Sequence, residues 1–389
     1  MTPPKLWTAN FILSCSSSFL IAFAFYLVGS VMPFFVSTEF GTNDEETGLI
    51  LASYIIAALV LRPFSGYLVD TFPRKKILIY SLILFTVLFY GYMVASTLFI
   101  LVLIRVLQGF TWSTTTTANS TLTIDIIPSE KRGEGIGYYG LTSTLSMAIG
   151  PMLGLLMYEY YPVEVNFYAA TFFGFLSLVL AWFIKVPHRE PDPEKAPISL
   201  DRFILLKAIP VGINLLGIAM CYGSFYAFAA LYGKQLQVEN TGWFFLFMAV
   251  GMTLSRLFAG KLLDRGHMHK LMAFSLILLA ISLFAFGFAT SKNIFFISAF
   301  FIGLSYGVLS PIFQNLFINL AKPEKRGTAN STFFTFYDLG IGIGMVVSGK
   351  VAHAFGYHAI FISGAVLILT TLAFYWFISK PLYNKHKII

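Results

Sequence analysis

The residues best placed to do chemistry in this chain are charged and polar groups set inside long apolar runs. Asp338 is the sharpest of them, the only acid that falls in the middle of such a run. It lies about ten residues from the start of its segment, hence about 15 Å along a helix and close to the midplane of a bilayer. A carboxyl held in low dielectric can take up and release a proton, which makes it a proton carrier; the structural alternative is an acid satisfied by hydroxyls or by a basic residue. Tyr337 precedes it and Gly340-Ile-Gly342-Ile-Gly344 follows, so the segment there is compact and deformable. Arg105 also stands in an apolar run. An arginine within a membrane is expensive, so it needs a function or a route to water. It falls in the outer third of its segment, from which its stem could snorkel to the interface. Gly109, Trp112, Thr116 and Asn119 continue its face at helical spacing, a polar and aromatic stripe suited to a cavity wall. The hydroxyls of Thr114 to Thr117 can equally bond back to helix carbonyls.

Enzyme chemistry finds no support. There is no phosphate loop, no metal-spaced His/Cys/Glu cluster and no nucleophile elbow. The six histidines fall in loops or at segment ends, which argues against a buried histidine relay. The two cysteines, Cys15 and Cys221, lie in apolar stretches and suggest neither a disulfide framework nor a metal site. No cofactor and no metal are expected.

The elements that must position these groups follow from hydropathy. The chain is 57% hydrophobic and 11% charged with a mean hydropathy of +0.77, whereas a soluble domain carries roughly 25% charged residues. Its 389 residues accommodate twelve spans of about 20 residues each. The apolar segments are 10–36, 47–69, 77–96, 98–124, 134–158, 165–185, 205–232, 242–263, 270–290, 294–319, 328–352 and 356–379. The first is too long for a cleaved signal core and reads as a retained helix. The net charge of +8 does not form one face, which argues against nucleic acid. Basic residues recur at every second loop (Arg74, Lys75, Lys76; Lys131, Arg132; Arg265, Lys270; Lys322, Lys325, Arg326) and in the tail (Lys380, Lys385, Lys387). That pattern places both termini in the cytoplasm. Residues 186–204 are polar and Pro-rich, the composition of a linker, and divide the chain into halves at 1–185 and 205–389.

An internal repeat supports the division. RPFSGYLVD at 62–70 returns as RLFAGKLLD at 256–264, and Glu130-Lys131-Arg132-Gly133 returns as Glu324-Lys325-Arg326-Gly327 at the same offset of 194 residues. Parallel repeats of this kind mark transporter halves. The loop after the second segment reads Gly66-x-x-x-Asp70-x-x-x-Arg74-Lys75, with Thr71 and Pro73. Gly66 permits close packing against a neighbouring helix, and Asp70 can face the positive N-terminus of another helix. The fourth segment holds Arg105-x-x-Gln108-Gly109 and the fifth holds Gly150-Pro151-Met152-Leu153-Gly154. Pro151 removes a helix hydrogen bond and kinks its helix.

These three motifs resemble, along the whole length, the major facilitator superfamily, and among its branches the twelve-helix drug:proton antiporters. The first resembles G-x-x-x-D-[RK]-x-G-[RK]-[RK], with Thr71 for a basic residue and Pro73 for a glycine; the second resembles R-x-x-Q-G; the third resembles the core of the antiporter motif G-P-x-x-G-G, with Leu155 for its last glycine. The resemblance implies an all-α membrane protein of two six-helix bundles with a substrate site between them. It implies that Asp70 meets the start of helix 11 as a latch and that Arg74 pairs with an acid ending helix 4, here Asp125. Arg105 is then linked to proton coupling, and the helix 5 glycines make tight contacts across the half-to-half interface. Under the repeat, Arg74 and Asp125 map to Met268 and Asn319 while Gly260 and Asp264 remain, so the charged latch is expected in the first half alone. Many relatives carry an acid in helix 1; this chain has none there, which shifts the weight to Asp338.

The helices that surround the cavity in the family hold the remaining substrate candidates: Tyr26, Tyr139, Asn214, Tyr222, Phe225, Tyr306, Asn315 and Tyr337, beside Trp112, Thr116 and Asn119. Proton coupling is assigned to Asp338 and Arg105, and gating to Gly66, Asp70, Arg74, Asp125, Gly150, Pro151, Gly154 and Asp264. The reading is a secondary active transporter of a bacterial cytoplasmic membrane, a monomer that exports a small organic molecule against protons by alternating access. Its partners are that substrate, protons and the lipid bilayer. The rivals are a proton-coupled uptake symporter for a sugar or organic acid and a membrane sensor or scaffold that transports nothing.

Overall fold

The computed structural model describes residues 5–42, 44–186, 203–238, 241 and 243–388. The described residues are helical throughout apart from short connections. In chain order the helices are α1 Ala9–Phe40, α2 Asp44–Thr71, α3 Arg74–Gly91, α4 Leu98–Ile126, α5 Arg132–Tyr160 and α6 Glu164–Phe183. After them come α7 Ile209–Gln235, α8 Trp243–Asp264, α9 Met268–Gly287, α10 Lys292–Asn319, α11 Arg326–Phe355 and α12 Tyr357–Phe374. A π-helical turn, Tyr375–Ser379, leads into the short α13, Lys380–His386. Eleven stretches of the described residues are long and apolar enough to cross a membrane. The long helix outside that set is α2, which carries Arg62, Pro63 and Asp70. Of the expected linker, residues 187–202 lie outside the described residues.

Local chemistry fixes several ends. The Thr97 side chain accepts from the Ile100 amide at 3.3 Å and starts α4, and that of Ser291 accepts from the Ile294 amide at 3.4 Å and starts α10. A hydroxyl acceptor at this position satisfies a donor that the helix itself leaves open. Thr97 and Ser291 stand at the same offset as the repeat, so the duplication preserves the cap as well as the motif. Gly41, at φ +63°, ends α1 with its amide on the Ser37 carbonyl. This carries α1 past its expected end at 36.

The chain forms two compact units. One comprises residues 1–128, 142–203 and 324–331, the other 129–141, 204–323 and 332–389. Thus α5 and α11 are each divided, their first turns grouped with the opposite unit from the remainder of the helix. The first unit packs aromatic pairs at its centre: Phe23 meets Phe173 edge-on at 5.0 Å, Phe35 meets Phe167 at 5.0 Å and Phe85 meets Phe89 at 5.0 Å. The second is centred on Phe225, Phe244, Phe286 and Phe295, all fully buried. Each such pair contributes about 0.5–1.5 kcal/mol beyond area burial.

Gly150 and Gly154 correct one expectation. They face α1, where Cβ atoms at these positions would meet Tyr26 and the Leu27 carbonyl respectively. Both helices lie there in the first unit, so these glycines serve contact within a unit and not across the halves. Helices in lipid gain little from hydrophobic exclusion and depend on this kind of backbone approach.

Gly154→Leu is expected to lower the apparent unfolding temperature in detergent, at a cost of about 1–3 kcal/mol for overpacking. Gly29→Ala, whose new Cβ meets nothing within 4 Å, is expected to leave that temperature unchanged.

Candidate functional site

Asp70 ends α2 against the start of α11. Its Oδ1 accepts from the Gly327 amide at 2.8 Å; its Oδ2 accepts from the Thr328 amide at 2.7 Å and from the Thr328 hydroxyl at 2.8 Å. One carboxylate therefore satisfies open donors at a helix N-terminus, where the macrodipole also favours negative charge. The approach needs small residues on both sides. A Cβ on Gly66 would stand 2.7 Å from that of Ser331, and one on Gly327 would stand 2.7 Å from Asp70 Oδ1. Arg74, at the start of α3, lies 3.3 Å from Asp70 and pairs with Asp125 at the end of α4. Asp125 also receives Arg326 at 2.8 Å. The side chains of Arg74, Arg326 and Asp125 are 4%, 11% and 15% exposed, so each ion of the group depends on the others.

The second unit holds a counterpart. Asp264 ends α8, and its two oxygens accept from the Gly133 amide at 2.7 Å and the Glu134 amide at 2.9 Å at the start of α5. What recurs is the carboxylate cap without the Arg–Asp pair, which is missing at Met268 and Asn319. It is the more exposed of the two caps, with Lys261 beside Glu134 at 3.9 Å.

Arg105 does not snorkel. It is 6% exposed, donates to the Leu51 carbonyl at 3.0 Å and sits 5.2 Å from the centre of the Tyr54 ring. Next to it the Tyr92 hydroxyl donates to Gln108. The α2–α4 contact absorbs this arginine because Gly109 lets the Tyr54 backbone come close. Trp112 stacks on Phe25 at 4.4 Å, and Phe25 touches Tyr26 and Tyr54. Thr116 is engaged twice: its hydroxyl donates to the Trp112 carbonyl at 2.8 Å and accepts from Arg62 at 2.5 Å. Asn119 is buried and accepts from Ser14 at 3.4 Å.

Four candidates converge in the second unit. Tyr222 and Phe225 of α7, Tyr306 of α10 and Tyr337 of α11 form one aromatic group. Tyr222 lies 5.1, 5.5 and 5.9 Å from Phe225, Tyr306 and Tyr337. The Tyr306 hydroxyl donates to the Ile218 carbonyl at 2.7 Å. Asp338 follows Tyr337 in sequence, half-buried and twelve residues into α11, about 18 Å along it. The face of α11 that packs on α7 carries Gly340 and Gly344. Asp338 lies on the other side, and one turn on, a Cβ at Gly342 would meet nothing within 4 Å. Other candidates fall elsewhere. Asn214 donates to the Pro210 carbonyl at 3.0 Å and to Ser379 at 2.5 Å, tying α7 to the π turn. The carbonyl oxygen of Asn315 is buried without a partner among the described residues. Tyr139 is half-buried on α5.

Comparison with known proteins agrees with this architecture. A family model described as Major Facilitator Superfamily matches residues 14–268 and 238–388. The chain belongs to the Major Facilitator Superfamily. Within that superfamily it is 22% identical to the staphylopine export protein of Staphylococcus aureus (strain Mu50 / ATCC 700699) over 93% of this chain and 95% of that protein. It is 26% identical to the quinolone resistance protein NorA of the same strain, over 86% and 87%. Among solved structures, the human organic anion transporter MFSD10 (TETRAN) superimposes with a TM-score of 0.79 at 16% identity, covering 94% of this chain and 98% of that one. A point variant of the E. coli fucose:proton symporter FucP does so at 0.77 and 15%, covering 96% and 99%. At such identities the structures share the fold alone. The chain is thus a facilitator-superfamily transporter and not an enzyme.

Two arginines of this transporter escaped the sequence reading as site residues. Arg62 is 3% exposed and donates to Thr116 and, at 3.3 Å, to the Ser113 carbonyl, while its own carbonyl accepts from Ser331 at 2.6 Å. Arg256, its mate in the repeat, is 7% exposed and donates to the Gly140 carbonyl. The signal was present: each stands eight residues before its capping aspartate, about 12 Å into the span, where arginine is costly.

Asp70→Ala is expected to lower stability by about 3 kcal/mol, because it strands buried donors and Arg74 together. Asp264→Ala, at the wetter cap, is expected to cost about 1 kcal/mol, in the usual range for a lost cap. Unfolding of the purified variants, followed by tryptophan fluorescence, checks the order.

Proposed function

We propose that this transporter exports a small organic molecule in exchange for protons, exposing its binding site alternately to the two sides of a bacterial cytoplasmic membrane, with both termini inside. The observation that carries the reading is Asp338: a half-buried carboxyl twelve residues into α11, next in sequence to Tyr337 of the aromatic group. An acid at that depth is held for a purpose. The export direction is supported by two relatives named for export and for drug resistance that align over most of both chains. In this mechanism Asp338 carries the proton and gives it up when substrate enters. Arg105, fixed by the Leu51 carbonyl, sets the electrostatic background at the α2–α4 contact. Asp70, Arg74 and Asp125 form one latch and Asp264 a second, both at helix ends next to the basic loops on the cytoplasmic side, and each carboxylate cap is broken and remade in the cycle. One chain carries both bundles and acts as a monomer.

Asp338→Asn in proteoliposomes tests the reading. With a pH gradient imposed, the variant is expected to lose gradient-driven flux by about 5–150-fold, the span of a typical coupling free energy. Exchange of labelled substrate at equal pH on both sides is expected to continue. A normal gradient-driven rate removes Asp338 as the proton carrier.

A further inference from the structure

The repeat leaves the second unit short of one tie, and a different segment of the chain lies in its place. In the first unit Arg74 and Asp125 join the start of α3 to the end of α4. The next residue reaches the end of α6: Lys75 Nζ donates to the Trp182 carbonyl at 2.6 Å. At the offset of 194 residues, Met268, His269 and Asn319 hold the corresponding positions of α9 and α10. Met268 and Asn319 cannot pair as ions. Two tyrosines that follow α12 meet their helices instead. His269 Nδ1 lies 2.7 Å from the Tyr375 hydroxyl. The Asn319 side chain donates to the Tyr383 hydroxyl at 3.1 Å, and its backbone carbonyl accepts from the Ile388 amide at 2.9 Å. The His269 ring meets that of Tyr383 edge-on at 6.0 Å.

Helix phase explains how both tyrosines turn inward. On an unbroken α-helix, residues eight apart stand about 80° out of phase. The π turn Tyr375–Ser379 adds one residue, which brings Tyr375 and Tyr383 to within about 20° of each other. Tyr375, Ser379 and Tyr383 are accordingly buried, while Trp376, Phe377, Ile378 and Leu382 are exposed. Ser379 is tied to α7, accepting from Asn214 at 2.5 Å and donating to the Pro210 carbonyl at 3.0 Å. The seven residues of α13 are too few for a helix that stands alone, so these contacts are what seat it.

We propose that α13 is a strap. It fastens the ends of α9 and α10 that the missing Arg–Asp pair leaves open, and does in the second unit what Arg74 and Asp125 do in the first. The ion pair belongs to the two helices it joins; the strap is a third segment, so its loss loosens α9 and α10 and leaves α3 and α4 untouched.

Hydrogen–deuterium exchange of the purified full chain, read peptide by peptide, tests this. Tyr383→Ala is expected to speed exchange about tenfold at the start of α9 and the end of α10, the scale of one lost hydrogen bond with its packing. The start of α3 and the end of α4 are expected to stay as they were. Tyr383→Phe, which keeps the ring and loses the hydroxyl, is expected to move the same peptides by less. Met268→Arg with Asn319→Asp, added to Tyr383→Ala, transplants the ion pair of the first unit. It is expected to restore protection at α9 and α10 while α13 continues to exchange fast, a result that a plain packing defect at Tyr383 would not give. Faster exchange confined to residues 375–388 in Tyr383→Ala overturns the proposal, as does a folded triple variant in which α9 and α10 stay unprotected. Should Tyr383→Ala or the triple variant fail to fold, the exchange map of Tyr383→Phe decides by itself: a change at α9 and α10 upholds the strap, and none removes it.

Discussion

A bilayer interior offers no water, so every amide, carbonyl and charge placed there must be satisfied from within the protein. That constraint orders the structure. Helix starts carry amides with no intrahelical partner, and two of them are answered by carboxylates at the ends of other helices. Asp70 takes both amides and the hydroxyl offered by Gly327 and Thr328, and Asp264 takes the amides of Gly133 and Glu134. The glycines around them follow from the same demand, because a carboxylate reaches a backbone amide only where no side chain intervenes. The sequence repeat of Gly and Asp at one offset is a repeat of this interaction.

The charged residues then fall into two kinds. Arg74, Asp125, Arg326 and Asp70 are joined to one another and hold elements in place. Arg105 and Arg62 are likewise fixed, by the Leu51 carbonyl and by Thr116. Arg256 is fixed in the same way, by the Gly140 carbonyl, and Asp338 stands half-buried twelve residues into α11. Charges held by neighbouring charges support a fold or a gate.

Much of this was legible in the residues. Twelve apolar runs, the 194-residue offset and the positions of Asp70, Arg74 and Asp125 carried the architecture and the pairing, since hydropathy and charge act locally and leave a trace along the chain. The gathering of Tyr222, Phe225, Tyr306 and Tyr337 was legible as a set of aromatic positions on particular helices. What stayed hidden depends on which way a side chain turns. Arg105 looked free to snorkel but lies buried against Leu51 and Tyr54. Asn214 looked like a cavity residue but ties α7 to a π turn that no periodicity foretold. Gly150 and Gly154 announced close packing but not the identity of the partner, which is α1. Arg62 and Arg256 were read as repeat markers because a motif draws the eye to its glycine and aspartate, although their cost in a membrane was the stronger signal.

The account turns on a proton leaving Asp338 as substrate arrives. The most direct measurement adds a bound ligand to purified protein in weakly buffered detergent and follows pH with a soluble dye. Exchange predicts net proton release on binding, and an apparent affinity that tightens as pH rises. Proton uptake on binding, or binding with no proton movement across the range where a carboxyl titrates, would contradict it.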